Sequence, residues 1–316
     1  MKAFVTGGAG FIGSHLVDRL LADGHDVTVY DRMLRGPRLL HDAMKSDRLE
    51  IIEGDLMDPG SMLMDGVDVV FHLAARADVR FSSEHPAAVF SQNVQGTFNV
   101  VEAARRNKVK TIVFASTGSI YGEPTVFPTP EDAPFPVQTS LYAASKLAGE
   151  GLIQAFAEGF GLQGFIFRFV SNVGERYTHG HIFDFYKKLK ANPDTLDVLG
   201  DGNQRKSYVY VGDTVNGILT ALRKSDRKIN IFNLGTNDSC TVKESIGWIT
   251  EYLNVKPALR YQGGTRGWSG DSPLIHLDCK RLRNLGWVPL VSIQTGIVRT
   301  VKYMQENHWL LERGEH

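Results

Sequence analysis

Cysteine is nearly absent: Cys240 and Cys279 are the only two in 316 residues, far apart and without a CxxC pair. That excludes a disulfide framework and a cysteine-rich zinc site, and it fits a reducing compartment. Net charge is missing too. Thirty-five Lys+Arg balance thirty-five Asp+Glu, so no broad basic field draws in nucleic acid or an anionic membrane surface, and an anionic ligand must be met locally. No uncharged stretch reaches about 18 residues, which leaves no membrane span, and the first apolar run breaks too early for a signal peptide. The expectation is a cytoplasmic protein without a nucleic-acid or membrane partner. Internal repeats and low-complexity segments are also lacking. What is present is an ordinary globular composition, 42% hydrophobic and 22% charged, in a chain long enough for about two domains.

Glycine is in excess, at 32 residues, and its placement gives the excess meaning. Residues 3–5 form a short apolar strand pattern, glycines follow, and Ile12, Leu16, Val17, Leu20 and Leu21 then share one helical stripe. Further short apolar runs at 27–30, 49–52, 67–73 and 111–115 read as strands buried on both faces, hence parallel. Helical segments 86–107 and 141–160 supply crossovers, and the sheet continues through 163–169. The predicted fold is α/β, with a doubly wound Rossmann-type parallel sheet over residues 1–171. Residues 172–316 read mainly as a smaller C-terminal α/β domain. Within them, 207–235 is expected to return to the first domain, because 215–222 and 231–234 suit a helix and strand of the main sheet. The Pro-rich stretch 124–136 reads as a loop over the site.

The run Thr6-Gly7-Gly8-Ala9-Gly10-Phe11-Ile12-Gly13 is GxGxxG counted from Gly8, or GxxGxxG counted from Gly7, with Gly10 and Gly13 common to both. Either way backbone can approach a phosphate, and the helix opening behind it favours a pyrophosphate at its N-terminal amides. Gly7, Gly10, Phe11, Ile12 and Gly13 are candidate cofactor contacts. Asp31 ends the next strand, where a carboxylate hydrogen-bonds an adenosine ribose and repels a 2′-phosphate. NAD is therefore expected over NADP, with the adjacent Arg32 softening the preference. After the third strand, Asp55 can contact adenine or start a turn, and Leu56 can pack on the base. Leu73, Ala74 and Ala75 end the fourth strand with side chains that permit close approach of a cofactor; His72 before them has no assigned role.

The most informative constellation is Ser116-Thr117 at the end of the fifth strand with Tyr142 and Lys146 at a helix start. Four apart on a helix, Tyr142 and Lys146 share one face. An ammonium beside a phenol stabilises the phenolate, and a nicotinamide cation would add to it, bringing the phenol from about 10 towards neutrality. Tyr142 can then remove a hydroxyl proton.

Together, TGGAGFIG, HLAA, STGSIYG, YAASK and RGWSGD resemble the extended short-chain dehydrogenase/reductase family, in particular its nucleotide-sugar epimerases and dehydratases. The resemblance covers essentially the whole chain. It implies Tyr142 as the base, Lys146 holding the nicotinamide ribose, and Thr117 hydrogen-bonding the sugar hydroxyl to be oxidised. It adds Asn93 and Ser116 to the cofactor contacts. Dehydratases of the family carry an Asp-Glu pair directly after that Thr, and uronate decarboxylases a Glu at the second place; here Gly118-Ser119 stand there. Eliminating water needs a proton acceptor and donor beyond the tyrosine, so the likeness implies C4 epimerisation of a nucleotide sugar, UDP-glucose and UDP-galactose first. The C4 proton goes to Tyr142, hydride leaves and returns to the opposite face of the 4-keto sugar, and no net redox change results.

On the substrate side the resemblance assigns Lys206, with Arg205 beside it, to the diphosphate, Arg266 to the diphosphate or the base, and Asp271 to the nucleotide ribose. Ser171 stands where relatives place Asn, so the sugar-phosphate contact falls to Ser171 or Asn172. Some relatives acting on uronates have a hydroxyl residue where Ser171 stands, and Arg176 can meet a carboxylate, which keeps UDP-glucuronate open; Ile275 leaves N-acetylhexosamines open. His179 and His181 read as substrate-loop histidines rather than metal ligands, and no metal is expected. Relatives dimerise through helices matching 86–107 and 141–160, which implies a homodimer.

Overall fold

The computed structural model describes all residues except Arg35, Pro136, 265–273 and 312–316. Its centre is built from β1 (Lys2–Thr6), β2 (Asp26–Asp31), β3 (Leu49–Glu53), β4 (Val69–His72), β5 (Thr111–Thr117) and β6 (Gln163–Phe169). Smaller strands β7 (Ser171–Val173), β8 (Thr195–Val198), β9 (Arg205–Lys206) and β10 (Tyr208–Tyr210) precede β11 (Ile229–Leu234). Two more, β12 (Cys240–Thr241) and β13 (Ala258–Tyr261), follow. The main sheet is seven-stranded in the order β3-β2-β1-β4-β5-β6-β11, parallel throughout. Its interior strands are apolar on both faces, with Phe4, Val5, Val29, Phe71, Ile112 and Phe165 all buried. Each such side chain contributes about 2 kcal/mol on leaving water.

Strand order reverses between β1 and β4, which opens a crevice beyond their carboxyl ends. The crossovers are α1 (Phe11–Ala22), then α2 (Val79–Glu84), α3 (Pro86–Val89) and α4 (Gly96–Arg106), and then α5 (Leu141–Phe160). Segment 86–107 is not one regular helix: a wide turn of π geometry, Phe90–Gln95, joins α3 to α4. Asn93 in that turn reaches out to the backbone of Arg76 and to Ser145, a side-chain anchor of the kind that accompanies such bulges. The start of α5 is fixed by Ser140, whose hydroxyl accepts the Ala143 amide, and its end by Gly161 in the left-handed region.

Outside the sheet, α6 (His181–Ala191), α8 (Val242–Leu253) and α10 (Ile293–Glu306) gather around a second core containing Ile182, Phe185, Ile246, Ile249, Ile297 and Val301. Between them the chain re-enters the first layer, where α7 (Val211–Lys224) packs on α1 and α9 (Lys280–Asn284) on β11. β10, by contrast, pairs with β7 away from the main sheet.

Candidate active site

A cavity of about 670 Å³ opens from the crevice between β1 and β4 towards α6 and β9. Gly7, Gly10, Phe11, Ile12 and Gly13 form its floor. Gly7 has φ 71°, and a Cβ there would come within 2.6 Å of the Ala74 amide nitrogen. On Gly13 a Cβ would sit 2.1 Å from the Gly7 carbonyl. Gly8 faces Val29 and lies outside the cavity lining, so the glycine spacing that shapes the floor is the one counted from Gly7. The N-terminus of α1 has no side-chain cap, which leaves its amides for a ligand.

Asp31 lines the cavity at the end of β2 and accepts the amides of Ala9 (3.1 Å) and Met33 (2.9 Å). Burial holds its carboxyl above the usual range despite those bonds. Arg32 lies 3.5 Å from Asp55. Asp55 also accepts the amide of Met57 at 2.9 Å, so it caps a turn, and the neighbours lining the cavity are Gly54 and Leu56. Leu73, Ala74 and Ala75 line the cavity beyond β4. Asn93 stands behind that wall: buried, it accepts the Arg76 amide (2.8 Å) and donates to Ser145 Oγ (2.9 Å). His72 is a satisfied core histidine. It lies between Thr6 Oγ1 (2.7 Å) and Thr97 Oγ1 (2.9 Å), and burial pushes its pKa down to about 3.

Ser116, Thr117, Tyr142 and Lys146 line the cavity together. The Tyr142 hydroxyl faces the Thr117 side chain, which acts to lower its pKa, and Thr117 Oγ1 accepts the Ser119 amide at 3.1 Å. Lys146 is 3% exposed; its Nζ donates to the Ala115 carbonyl at 2.8 Å and lies 4.7 Å from the centre of the Phe114 ring. The expected lowering of the phenol includes the charge of a nicotinamide; in the protein alone burial dominates. Burial pushes Tyr142 up to about 12 and Lys146 down to about 7. Both charged forms are penalised when water is removed, and the ammonium is seated on a carbonyl, so the protein alone keeps the tyrosine protonated.

Where a dehydratase would carry its first acid, Gly118 has no room. A Cβ there would come within 2.9 Å of Ile275 Cγ2 and 3.3 Å of the Phe169 carbonyl. Ser171 and Asn172 both line the cavity, but the Asn172 amide is committed to Thr214 (2.5 Å) and the Val170 carbonyl (3.3 Å). Ser171 is the exposed one of the pair. Lys206 lines the cavity, whereas Arg205 turns to Ser239. Arg176 does not line it: its guanidinium lies 2.7 Å from Asp18 of α1, so the carboxylate it meets is the protein's own. His181 lines the far end, with its ring on the Tyr208 hydroxyl (2.8 Å) and Ser245 (3.2 Å). His179 lines it nearby, stacked on Tyr177. Arg266 and Asp271 lie outside the described residues.

Missed in the sequence were Glu150 and Arg168, a buried pair behind Ser116 and Lys146. The available signal was a Glu one turn after Lys146, on the buried face of α5.

Residues 3–235 match the NAD dependent epimerase/dehydratase family. A UDP-glucose 4-epimerase of Mycolicibacterium smegmatis is 34% identical over 96% of this chain and 99% of its own. Among solved structures, one of a UDP-galactose 4-epimerase is 38% identical, with a TM-score of 0.88, covering 98% of this chain and 100% of its own. The UDP-glucuronic acid 4-epimerase of Bacillus cereus, solved with UDP-glucuronic acid and NAD, is 26% identical. It has a TM-score of 0.88 and covers 97% of this chain and 99% of its own.

Proposed function

The chain belongs to the NAD dependent epimerase/dehydratase family, and from that premise we propose that it epimerises a nucleotide sugar at C4, with UDP-glucose and UDP-galactose as its pair. The observation that carries this reading is that Tyr142, Thr117 and Lys146 line one cavity, next to a Gly118 position with no space for an acid. NAD is the cofactor, and the residues fit it: a glycine floor that side chains would fill, uncapped α1 amides, and Asp31 at the end of β2. Gly7, Gly10, Phe11, Ile12 and Gly13 would hold the pyrophosphate and Asp31 the adenosine ribose. Leu56, Leu73, Ala74, Ala75, Ser116 and Lys146 would line the rest, with Asp55 and Asn93 supporting that wall from behind. When bound, NAD supplies a reversible hydride acceptor at C4 of the sugar.

The chain's own groups handle the proton. Thr117 orients the C4 hydroxyl towards Tyr142, whose oxygen takes the proton as the carbonyl forms and returns it after the 4-keto sugar has turned over. A phenol at about 12 is a poor reservoir for a base at neutral pH. Its lowering therefore requires Lys146 in the ammonium form and the positive charge that the cofactor brings. Lys206 and Ser171 are the substrate contacts for diphosphate and sugar, with Asn172 fixing the backbone beside Ser171; Arg266 and Asp271 complete the proposed set. With Arg176 paired to Asp18, the uronate alternative rests on the Ser171 hydroxyl in the cavity.

We assign residues 1–171, with 207–235 returning, to cofactor binding and 172–316 mainly to substrate. The parallel pairing of β11 with β6 supports that division. A cytoplasmic location is supported by two buried free cysteines; among the described residues no helix is long and apolar enough to cross a membrane. A homodimer is supported by the exposed aromatic side chains Phe98 of α4 and Phe160 of α5, with Phe90 exposed in the turn before α4.

The test is to incubate purified protein with UDP-glucose, UDP-galactose, their N-acetylated counterparts and UDP-glucuronate, following products by NMR and NADH by absorbance. A C4 epimer without net NADH is expected. An accumulating keto sugar would move the protein to the dehydratases.

A further inference from the structure

One pair of core charges has no part in the chemistry above. The Glu150 carboxylate and Arg168 guanidinium meet at 2.8 Å, 1% and 2% exposed. A buried ion pair adds little net stability over well-packed apolar side chains, so its surroundings are informative. Glu150 lies one turn beyond Lys146 on α5, and the two grip adjacent residues of β5. Lys146 Nζ donates to the Ala115 carbonyl at 2.8 Å, and Ser116 Oγ donates to Glu150 Oε1 at 2.5 Å.

Arg168 reaches the carboxylate from β6 through Nε (3.0 Å) and Nη2 (2.8 Å). Its Nη1 donates to the Tyr121 hydroxyl (2.7 Å) and the Glu131 carbonyl (2.8 Å). The guanidinium also lies 5.1 Å from the centre of the Tyr121 ring and 5.0 Å from that of Phe135. Held on so many sides, Arg168 cannot swing away, and Glu150 is fixed with it. The titratable groups around Lys146 are Tyr142 and Glu150 on its own helix, His72 from β4, and Arg168 from β6 behind Glu150. His72 is buried and neutral, Tyr142 is protonated, and Arg168 is a cation. Glu150 supplies the negative charge of this group.

We propose that Glu150 is a positioning residue for Lys146: clamped by Arg168 and Ser116, its carboxylate keeps the lysine cationic and seated on Ala115. Burial carries Lys146 down to about 7, and the attraction of Glu150 acts against that fall. The inference rests on the role given to Lys146 above, yet it concerns a property of the protein that can be read without any turnover.

The experiment follows the side-chain NMR signals of isotope-labelled lysine against pH, with Lys146→Met identifying the resonance, in wild type and Glu150→Gln. A midpoint lower by about one pH unit or more is expected, leaving about tenfold less ammonium at pH values above it. The alkaline limb of kcat should move to lower pH by the same amount, because activity requires the charged form. An unchanged midpoint overturns the proposal, even in a fully active epimerase. If the epimerase reading fails instead, the titration still stands as its own test. Glu150→Gln strands a buried Arg168 and can prevent folding, so Glu150→Gln/Arg168→Met, which removes both charges at similar volume, is measured beside it. A lowered midpoint in the double variant supports the proposal, and a wild-type midpoint there overturns it.

Discussion

The hydroxyl of Tyr142, in the first turn of α5, faces the side chain of Thr117 at the end of β5 across the cavity wall. Tyr142→Phe removes the base and little packing, so turnover should fall by about 10²–10⁴-fold while NAD binding persists. Thr117→Val keeps the shape and loses the orienting hydroxyl, for a smaller loss of about 10- to 100-fold. Steady-state epimerisation beside cofactor titration separates the two effects. Wild-type turnover in Tyr142→Phe would sink the assignment.

His72 predicts an acid limb in stability. Thr97 donates its own proton to the Asn93 carbonyl (2.6 Å), so His72 donates from Nε2 to Thr97 and accepts at Nδ1 from Thr6. The bond accepted at Nδ1 needs the neutral ring, and burial disfavours the charged one. Folded, its pKa lies at about 3 against 6.5 unfolded. Below 6.5 the unfolded chain takes up a proton that the folded chain refuses. This contribution is therefore complete above pH 6.5 and is lost as pH falls towards 3, at about 1.4 kcal/mol per pH unit. Denaturant titrations across that window should show the slope, and His72→Gln should flatten it by about one proton. An unchanged slope in the variant would contradict the buried neutral ring.

The parallel sheet, the glycine floor counted from Gly7 and the shared face of Tyr142 and Lys146 were legible because each depends on spacing within one short segment. What was not legible depends on which segments the sheet order brings together. Glu150 and Arg168 meet because α5 lies against β6, and nothing in either segment alone announces the other. Arg176 looked available to a substrate carboxylate, until folding placed the loop carrying it against Asp18 of α1. The burial of Tyr142 and Lys146 was out of reach for a related reason: it is a property of the whole cavity wall, and in the protein without its cofactor it pushes the phenol up and the ammonium down.

Gly118 and Ile275 form a coupled pair. A Cβ at 118 would come within 2.9 Å of Ile275 Cγ2 and 3.2 Å of Leu277 Cδ1. Gly118→Ala should destabilise by about 1–3 kcal/mol through overpacking. Adding Ile275→Ala should return part of that loss, a positive coupling in a double-mutant cycle. Strictly additive melting shifts would mean that the two positions do not touch.

The aromatic row on α4 and α5 predicts the oligomeric state. Phe90 and Phe160 are 60% and 58% exposed, and Phe98 and Phe160 both pack on Phe156 (6.0 and 5.1 Å between ring centres). Exposed aromatic side chains gathered on one neighbour in this way mark an interaction surface. Light scattering should give twice the chain mass, and Phe98→Glu/Phe160→Glu should give the monomer. A wild-type monomer at micromolar concentration would remove the homodimer.

Cofactor choice should respond to Asp31 and Asp55 in a set order. Asp31 at the cavity wall repels a 2′-phosphate, while Arg32, the nearby cation able to attract one, lies 3.5 Å from Asp55. Asp31→Ser should weaken NAD by about tenfold, near 1.4 kcal/mol, with a modest gain for NADP. Asp31→Ser/Asp55→Ala should shift preference further towards NADP, because Arg32 then loses its carboxylate partner and can turn to the phosphate. Fluorescence titrations of both cofactors against both variants measure the ratio directly. If the second substitution leaves that ratio where the first put it, Arg32 does not reach the ribose, and Asp31 alone sets the preference.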